Sequence, residues 1–195
     1  MIERANLKKN ALTVLQGNWT NAVLGTVICM AISAIPSATG IGGIISLIIG
    51  GPIALGMAIY FLKLATNESP KIDNFFDGFK NFLQSFILYI LQIVFICLWA
   101  LLLIIPGIVK AFSYSMAFYI MADNPEITAS DALKESMRIT NGYKMDLFVL
   151  CLSFTGWFIL CMFTFGIGYF WLLPYMQTTF AGAYKKLSAP KIIAE

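Results

Sequence analysis

Lys110, Ser113 and Tyr114 follow one another at the i, i+3 and i+4 positions that share one face of a helix. An ammonium flanked by two hydroxyl groups can hold an anion such as a lipid phosphate or a peptide carboxylate. The setting makes this triad conspicuous. No acid or base lies between Asn81 and Val109, and the next charge after Lys110 is Asp123. Two further polar side chains, Gln92 and Gln177, fall near the middle of long apolar runs. A primary amide in hydrocarbon is costly unless it is hydrogen-bonded. These five residues are therefore the candidate ligand-binding set. Two readings of Lys110 stay open. Its ammonium snorkels to the headgroups near the Pro106-Gly107 turn, or it points inward with Ser113 and Tyr114 toward an anion supplied from outside the chain.

Other chemistries find little support. The chain has no histidine, which removes the commonest general base and metal ligand. Cys29, Cys97, Cys151 and Cys161 each sit inside an apolar stretch and form no C-x-x-C pair, so they read as small hydrophobes rather than disulfides or ligands. No carboxylate lies deep within an apolar run, so no buried dyad or proton relay is expected. Asp123, Glu126, Asp131 and Glu135 cluster in one segment and read as a solvated helix face rather than a metal site. No phosphate-binding glycine loop with a lysine is present. The expectation is a protein without catalytic residues, metal or cofactor. Charges of both signs mix throughout the polar segments, which argues against nucleic acid as a partner.

The elements that position these residues follow from composition. Of 195 residues, 59% are hydrophobic and 12% charged, and the mean hydropathy is +0.80. Soluble domains carry about 25% charged residues. The chain reads as one all-α, polytopic membrane domain spanning 1–195, with 188–195 as a short tail. Runs near the roughly 20 residues that cross a bilayer occur at 18–37, 41–65, 81–105, 107–122, 145–163 and 167–186. The third and fourth meet at Pro106-Gly107, a turn signal. Lys8 and Lys9 precede the first run without a cleavage site after it, so that run is expected to stay as a span.

Six spans put both termini on one side. That side collects twelve of the thirteen bases and all ten acids, while the intervening loops near 38–42, 106–107 and 164–167 are uncharged. By the positive-inside rule the termini are cytoplasmic. Lys110 is the exception.

A threefold repeat over 1–65, 66–122 and 123–187 is expected. Gly17-Asn18-Trp19, Gly78-Phe79-Lys80 and Gly142-Tyr143-Lys144 recur at steps of 61 and 64 residues. Each follows a stretch with helical apolar spacing: Leu7, Ala11, Val14, Leu15; then Ile72, Phe75, Phe76, Phe79; then Ala129, Ala132, Leu133, Ser136, Met137, Thr140. Thr128-x-x-Asp131 resembles a capping box opening the last of these. Each repeat then carries a helical hairpin whose second span has an early proline (Pro52, Pro106, Pro174) and ends near Tyr60, Tyr119 or Tyr184. Three amphipathic helices at the cytoplasmic face are expected, with Trp19, Phe75, Phe76 and Phe79 at the membrane interface. Ser46, Gly50, Ala54 and Ala58 recur every four residues, a small-residue stripe that lets helices approach closely.

The stretch IPGIVKAFSYSM from Ile105 to Met116, the segment Ala122-Asp123-Asn124-Pro125 with the following helix of Ala132, Leu133 and Ser136, and Gly156-Trp157-Phe158 with Leu173-Pro174-Tyr175-Met176-Gln177 and Ala183-Tyr184 carry a family resemblance. Together they resemble an integral-membrane family of mainly Gram-positive bacteria known as domain of unknown function 975. More distantly the chain is similar to the membrane domain attached to some bacterial glycerophosphodiester phosphodiesterases, whose catalytic part has no counterpart here. The resemblance implies a bacterial cell membrane and supplies no activity. The expected function is binding of membrane lipids or amphiphilic peptides. A small transporter or channel, or an accessory subunit of an export or immunity complex, is the alternative.

Overall fold

The computed structural model describes residues 3–34 and 42–189. The predicted turn at 38–42 lies almost wholly outside the described residues, as does Lys191. The described chain is helical throughout. Its elements are α1 (Arg4–Leu15), α2 (Trp19–Ala34), α3 (Gly42–Ala65), a 3₁₀ helix (Ile72–Asn81), α4 (Phe82–Leu102), α5 (Ile104–Tyr114), α6 (Ala117–Asp123), α7 (Ala129–Ile139), α8 (Lys144–Leu152), α9 (Thr155–Phe163) and α10 (Tyr169–Ser188).

Among the described residues, four segments are long and apolar enough to cross a membrane: Ile45–Ala65, Ile72–Leu102, Ile104–Asp123 and Lys144–Phe163. The predicted first and sixth spans fall short of that measure. Within α2 the apolar stretch Trp19–Ile32 is shorter, and the rest of its predicted run enters the residues not described. In α10 the C-terminal half carries Gln177, Thr178, Thr179, Lys185 and Lys186, which dilutes its apolar character.

Three joints differ from the sequence expectation. The α4–α5 hairpin turns at Leu103, which is extended (φ −158°, ψ 135°), and Pro106 sits in the first turn of α5. A proline there gives up no helical hydrogen bond. Gly107 is needed for close approach instead: a Cβ on it would lie 2.8 Å from the Ala100 backbone. The fourth span breaks at Ser115-Met116, and the fifth at Ser153-Phe154.

α3 is the scaffold of the first half. The segment after it folds back along it as a tight 3₁₀ helix rather than an interfacial α-helix. Added Cβ atoms at Gly56 and Gly78 would lie 1.8 Å from the Phe75 carbonyl oxygen and 2.0 Å from that of Pro52. Phe75 is thereby driven into the interior, stacked on Tyr60 (4.1 Å between centroids) and edge-on to Phe61, with its ring against Gly25 of α2. In hydrocarbon, burial of apolar surface gains little by transfer, so close packing of this kind carries helix association. The stripe Ile72, Phe75, Phe76, Phe79 assumes 3.6 residues per turn. At three per turn its members diverge, so Phe75 is buried while Phe76 and Phe79 remain exposed.

α1 and α7 follow the predicted stripes. Leu7, Ala11 and Leu15 are buried, as are Ala129, Ala132, Leu133 and Ser136. The Thr128 hydroxyl accepts the Asp131 N–H at 3.2 Å, capping α7. α1 packs on α10 and α7 packs on α6. The chain leaves each of these helices through a left-handed glycine, Gly17 (φ +86°) and Gly142 (φ +85°), a conformation that favours glycine.

Candidate functional site

Lys110 lies on α5, about 9 Å along the axis from Ile104 at 1.5 Å per residue. Among the described residues its partly buried side chain meets no carboxylate. The ammonium sits 5.0 Å from the Trp99 ring centroid and 5.9 Å from that of Tyr114, and its hydrogen-bond contact is the Met137 thioether at 3.9 Å. Aromatic faces at this range attract a cation by about 0.5–1 kcal/mol at exposed sites, and a thioether is a weak acceptor. The cation is thus cradled and left without a counter-charge by these contacts.

The other members of the predicted set do not gather round it. Ser113 is buried; its hydroxyl donates to the Val109 carbonyl at 2.8 Å. Its own carbonyl, freed by the α5–α6 break, accepts from Ser136 at 2.7 Å. The Gln92 amide nitrogen donates to the Tyr114 carbonyl at 2.9 Å. Gln177 lies elsewhere: its side-chain oxygen accepts the Tyr119 hydroxyl at 2.6 Å. Lys110 and Tyr114 are neighbours, Gln92 braces their helix, and Gln177 belongs to a second place.

That second place is a cavity of about 320 Å³ between α3, α6 and α10, lined by Ala54, Met57, Phe118, Tyr119, Gln177 and Phe180 among others. The ring of Tyr119 stacks near that of Tyr184 (6.0 Å, 20° between planes), and the Tyr184 hydroxyl donates to Asp123 at 2.8 Å. Asp123 and Tyr184 in turn border a polar groove of about 590 Å³ along α7. Four of its charges form two pairs. Arg138 holds Glu135 through two bonds of 2.7 and 2.5 Å, and Lys134 holds Asp131 at 3.1 Å. The Arg138 hydrogen bonds hold the Glu135 carboxyl below its usual value, and the Thr128 and Lys134 hydrogen bonds do the same for Asp131. Among the described residues no group of three or more metal-ligating side chains comes together.

The interface residues also separate. Trp19, half-buried at the start of α2, joins Trp157 and Trp171 along an apolar groove. Phe76 and Phe79 are exposed and Phe75 is internal.

Sequence reasoning placed Lys8 only as a charge flanking the first span. Its ammonium donates to the Ser153 carbonyl at 2.9 Å and lies 4.0 Å over the Phe154 ring. It therefore caps the carbonyl end of α8, where a cation is favoured. Partial burial lowers its pKa. The available signal was the spacing: Lys8 falls one residue after Leu7 on the same stripe edge, and nothing in the sequence marks Ser153-Phe154 as a helix break. Tyr119 and Tyr184 were noted only as repeat markers, yet they carry the polar contacts of the bundle interior.

No curated protein and no solved structure matches the chain. The family described as a protein of unknown function, DUF975, matches residues 1–113 and 101–191. With nearly its whole length so matched, and with helices apolar enough to cross a membrane, the chain belongs to the DUF975 family.

Proposed function

We propose that the chain is a non-enzymatic, multi-pass protein of the bacterial cell membrane that binds anionic amphiphiles, lipids or amphiphilic peptides, and that Lys110 supplies the charge that recognises them. The carrying observation is the Lys110 ammonium, held by Trp99, Tyr114 and Met137 with no carboxylate among its contacts. Three N–H donors facing soft partners are suited to a phosphate or carboxylate from outside the chain. Gln92 fixes the neighbouring backbone, so the cradle is braced.

The proposal includes six spans with cytoplasmic termini, α2 and α10 adding to the four longer ones, arranged as three related hairpins. Equivalent packing supports the relation. α1 lies on α10, the 3₁₀ helix on α3, and α7 on α6. Gly17 and Gly142 make the same left-handed exit. Gly78 departs because its place is inside the 3₁₀ helix.

The alternative, a small transporter or channel, is favoured by one feature: the cavity bordered by the second helix of each hairpin. Its polar pair, Tyr119 and Gln177, is bonded to itself, which favours binding over passage.

Native mass spectrometry of the purified protein beside Lys110→Leu tests the reading. A defined anionic lipid or peptide retained by the wild type and lost by the variant is the expected result. The same mixed lipids on both would overturn the recognition role of Lys110. Flux of solute in liposomes would favour the transporter.

A further inference from the structure

The cavity between α3, α6 and α10 holds an unspent pair of hydrogen-bond donors. Gln177 lines it from α10, and its side-chain oxygen accepts the Tyr119 hydroxyl at 2.6 Å. A primary amide carries two N–H donors besides that oxygen. Among the described residues the Gln177 amide nitrogen donates to no protein group. The hydroxyls of the wall are already engaged as donors: Ser115 donates to the Phe112 carbonyl at 2.8 Å, and Tyr119 donates to Gln177.

Depth makes those free N–H groups matter. Gln177 precedes Lys185 on α10 by roughly 12 Å along the axis at 1.5 Å per residue. Half of the ~30 Å hydrocarbon core is about 15 Å, so bulk water does not reach that level. Donors left there without an acceptor are costly.

The rest of the wall says what can meet them. No charged side chain lines the cavity. An ionised guest would lose its hydration and find no counter-charge. The room comes from Ala54 and Ala58, the lower members of the small-residue stripe on α3. Met57 and Met176 flank that space, and their unbranched thioether chains adapt to the shape of a guest. The volume of about 320 Å³ falls at the small end of the range of roughly 300–1,000 Å³ seen for ligand sites.

We infer that this cavity binds an uncharged, apolar molecule through a carbonyl oxygen that accepts the free N–H groups of Gln177. The Tyr119 hydroxyl holds the amide oxygen and so turns the nitrogen to the guest. The ligand class differs from the anion assigned to Lys110, which does not line the cavity. The inference rests on the membrane reading above and not on Lys110.

Benzophenone is a probe of that class, an apolar ketone that on irradiation bonds to a C–H group it touches. The full-length protein is reconstituted in phosphatidylcholine vesicles and labelled over a range of probe doses, and the sites are mapped by peptide mass spectrometry. Saturable labelling at Met57 and Met176 is expected, against labelling proportional to dose at the exposed tip residues Leu102 and Ile105. Two dark competitors then ask for the hydrogen bond. Phenyl benzoate carries a carbonyl, and bibenzyl has the same skeleton without one. Phenyl benzoate should displace the probe at a several-fold lower concentration. Labelling of the two methionines that never saturates overturns the inference, and so does equal competition by the two compounds. Both results are read on the unsubstituted protein, so no misfolded variant can produce them.

The variants locate the effect. Gln177→Leu should erase the difference between the competitors, whereas Tyr119→Phe, which leaves the amide in place, should keep it. Ala54→Leu fills the cavity and should abolish saturable labelling. A competitor difference that survives Gln177→Leu, or saturable labelling that survives Ala54→Leu, overturns the assignment. Lys110→Leu separates the two sites. If it loses its anionic ligand in mass spectrometry and keeps the competitor difference, both readings stand. If it loses no ligand and keeps the difference, only the Lys110 reading fails. If it abolishes saturable labelling, the assignment to this cavity fails.

Discussion

Ser136 bridges the break between α5 and α6: its hydroxyl donates to the Ser113 carbonyl at 2.7 Å and accepts the Met116 N–H at 3.2 Å. One side chain from a helix twenty residues away thus satisfies two backbone groups that the break exposes, while Gln92 takes the Tyr114 carbonyl. Ser136→Ala removes both bonds at a fully buried position. A buried group left unpaired costs about 1–3 kcal/mol. The expected outcome is a lowered thermal midpoint in detergent, with Ser136→Thr closer to wild type than Ser136→Ala.

Phe75 and two glycines make a paired prediction. At Gly25 an added Cβ would meet the Phe75 ring, 1.9 Å from Cε2, whereas at Gly56 it would meet the Phe75 backbone oxygen. Overpacking typically costs about 1–3 kcal/mol. Gly25→Ala should therefore be destabilised and partly rescued by Phe75→Leu. Gly56→Ala should be destabilised and not rescued, because the obstructing atom belongs to the main chain. Comparing midpoints of the two double variants with their parents checks this.

These two contacts also show where the sequence was legible. Ser136 lies on a stripe that periodicity alone identified, and α7 forms where the Thr128 cap and that stripe place it. Phe75 lies on a stripe of the same appearance and ends up elsewhere, because the glycines at 25, 56 and 78 let the chain close into a 3₁₀ helix against α3. A glycine's partner cannot be read from one strand of residues. The same holds at Leu103, where the hairpin turns three residues before the Pro-Gly pair that signals it. At the candidate site, Lys110 and Tyr114 were paired by spacing, while Gln92 and Gln177 were separated by tertiary packing that spacing does not encode.

Tyr119 and Gln177 join α6 to α10 across the central cavity. Polar pairs between membrane helices average about 0.6 kcal/mol in double-mutant cycles and reach about 1.7. A cycle of Tyr119→Phe and Gln177→Leu should give a coupling within that range, measured by unfolding in mixed micelles. A coupling of zero would mean that the two side chains are not bonded in the membrane.

The carboxylates of α7 give a pH prediction. Glu135 is held below the usual 4.5 by its Arg138 hydrogen bonds, with partial burial opposing. A depressed folded pKa contributes stability that is fully present above the unfolded value and is lost as pH falls through the folded one. The protection of the α7 amides, corrected for the intrinsic pH dependence of exchange, should therefore be flat from neutral pH down to about 4.5 and should fall below it. Glu135→Gln should flatten that acid limb. The change is small, since both partners are solvent-exposed and screened.

The contact between Lys8 and Ser153 has a consequence for the order of events at the ribosome. The two residues are 145 positions apart in the chain, and α1 rests on α10, the last helix among the described residues. At roughly 5–20 residues per second, the first helix waits on the order of 7–30 seconds before its seat is complete. During that interval its apolar stripe, Leu7, Ala11 and Leu15, has α3 for part of its seat and lacks α10 for the rest. The ring of helices closes only when α10 reaches α1, so α1 is seated after the helices that lie between them in the chain.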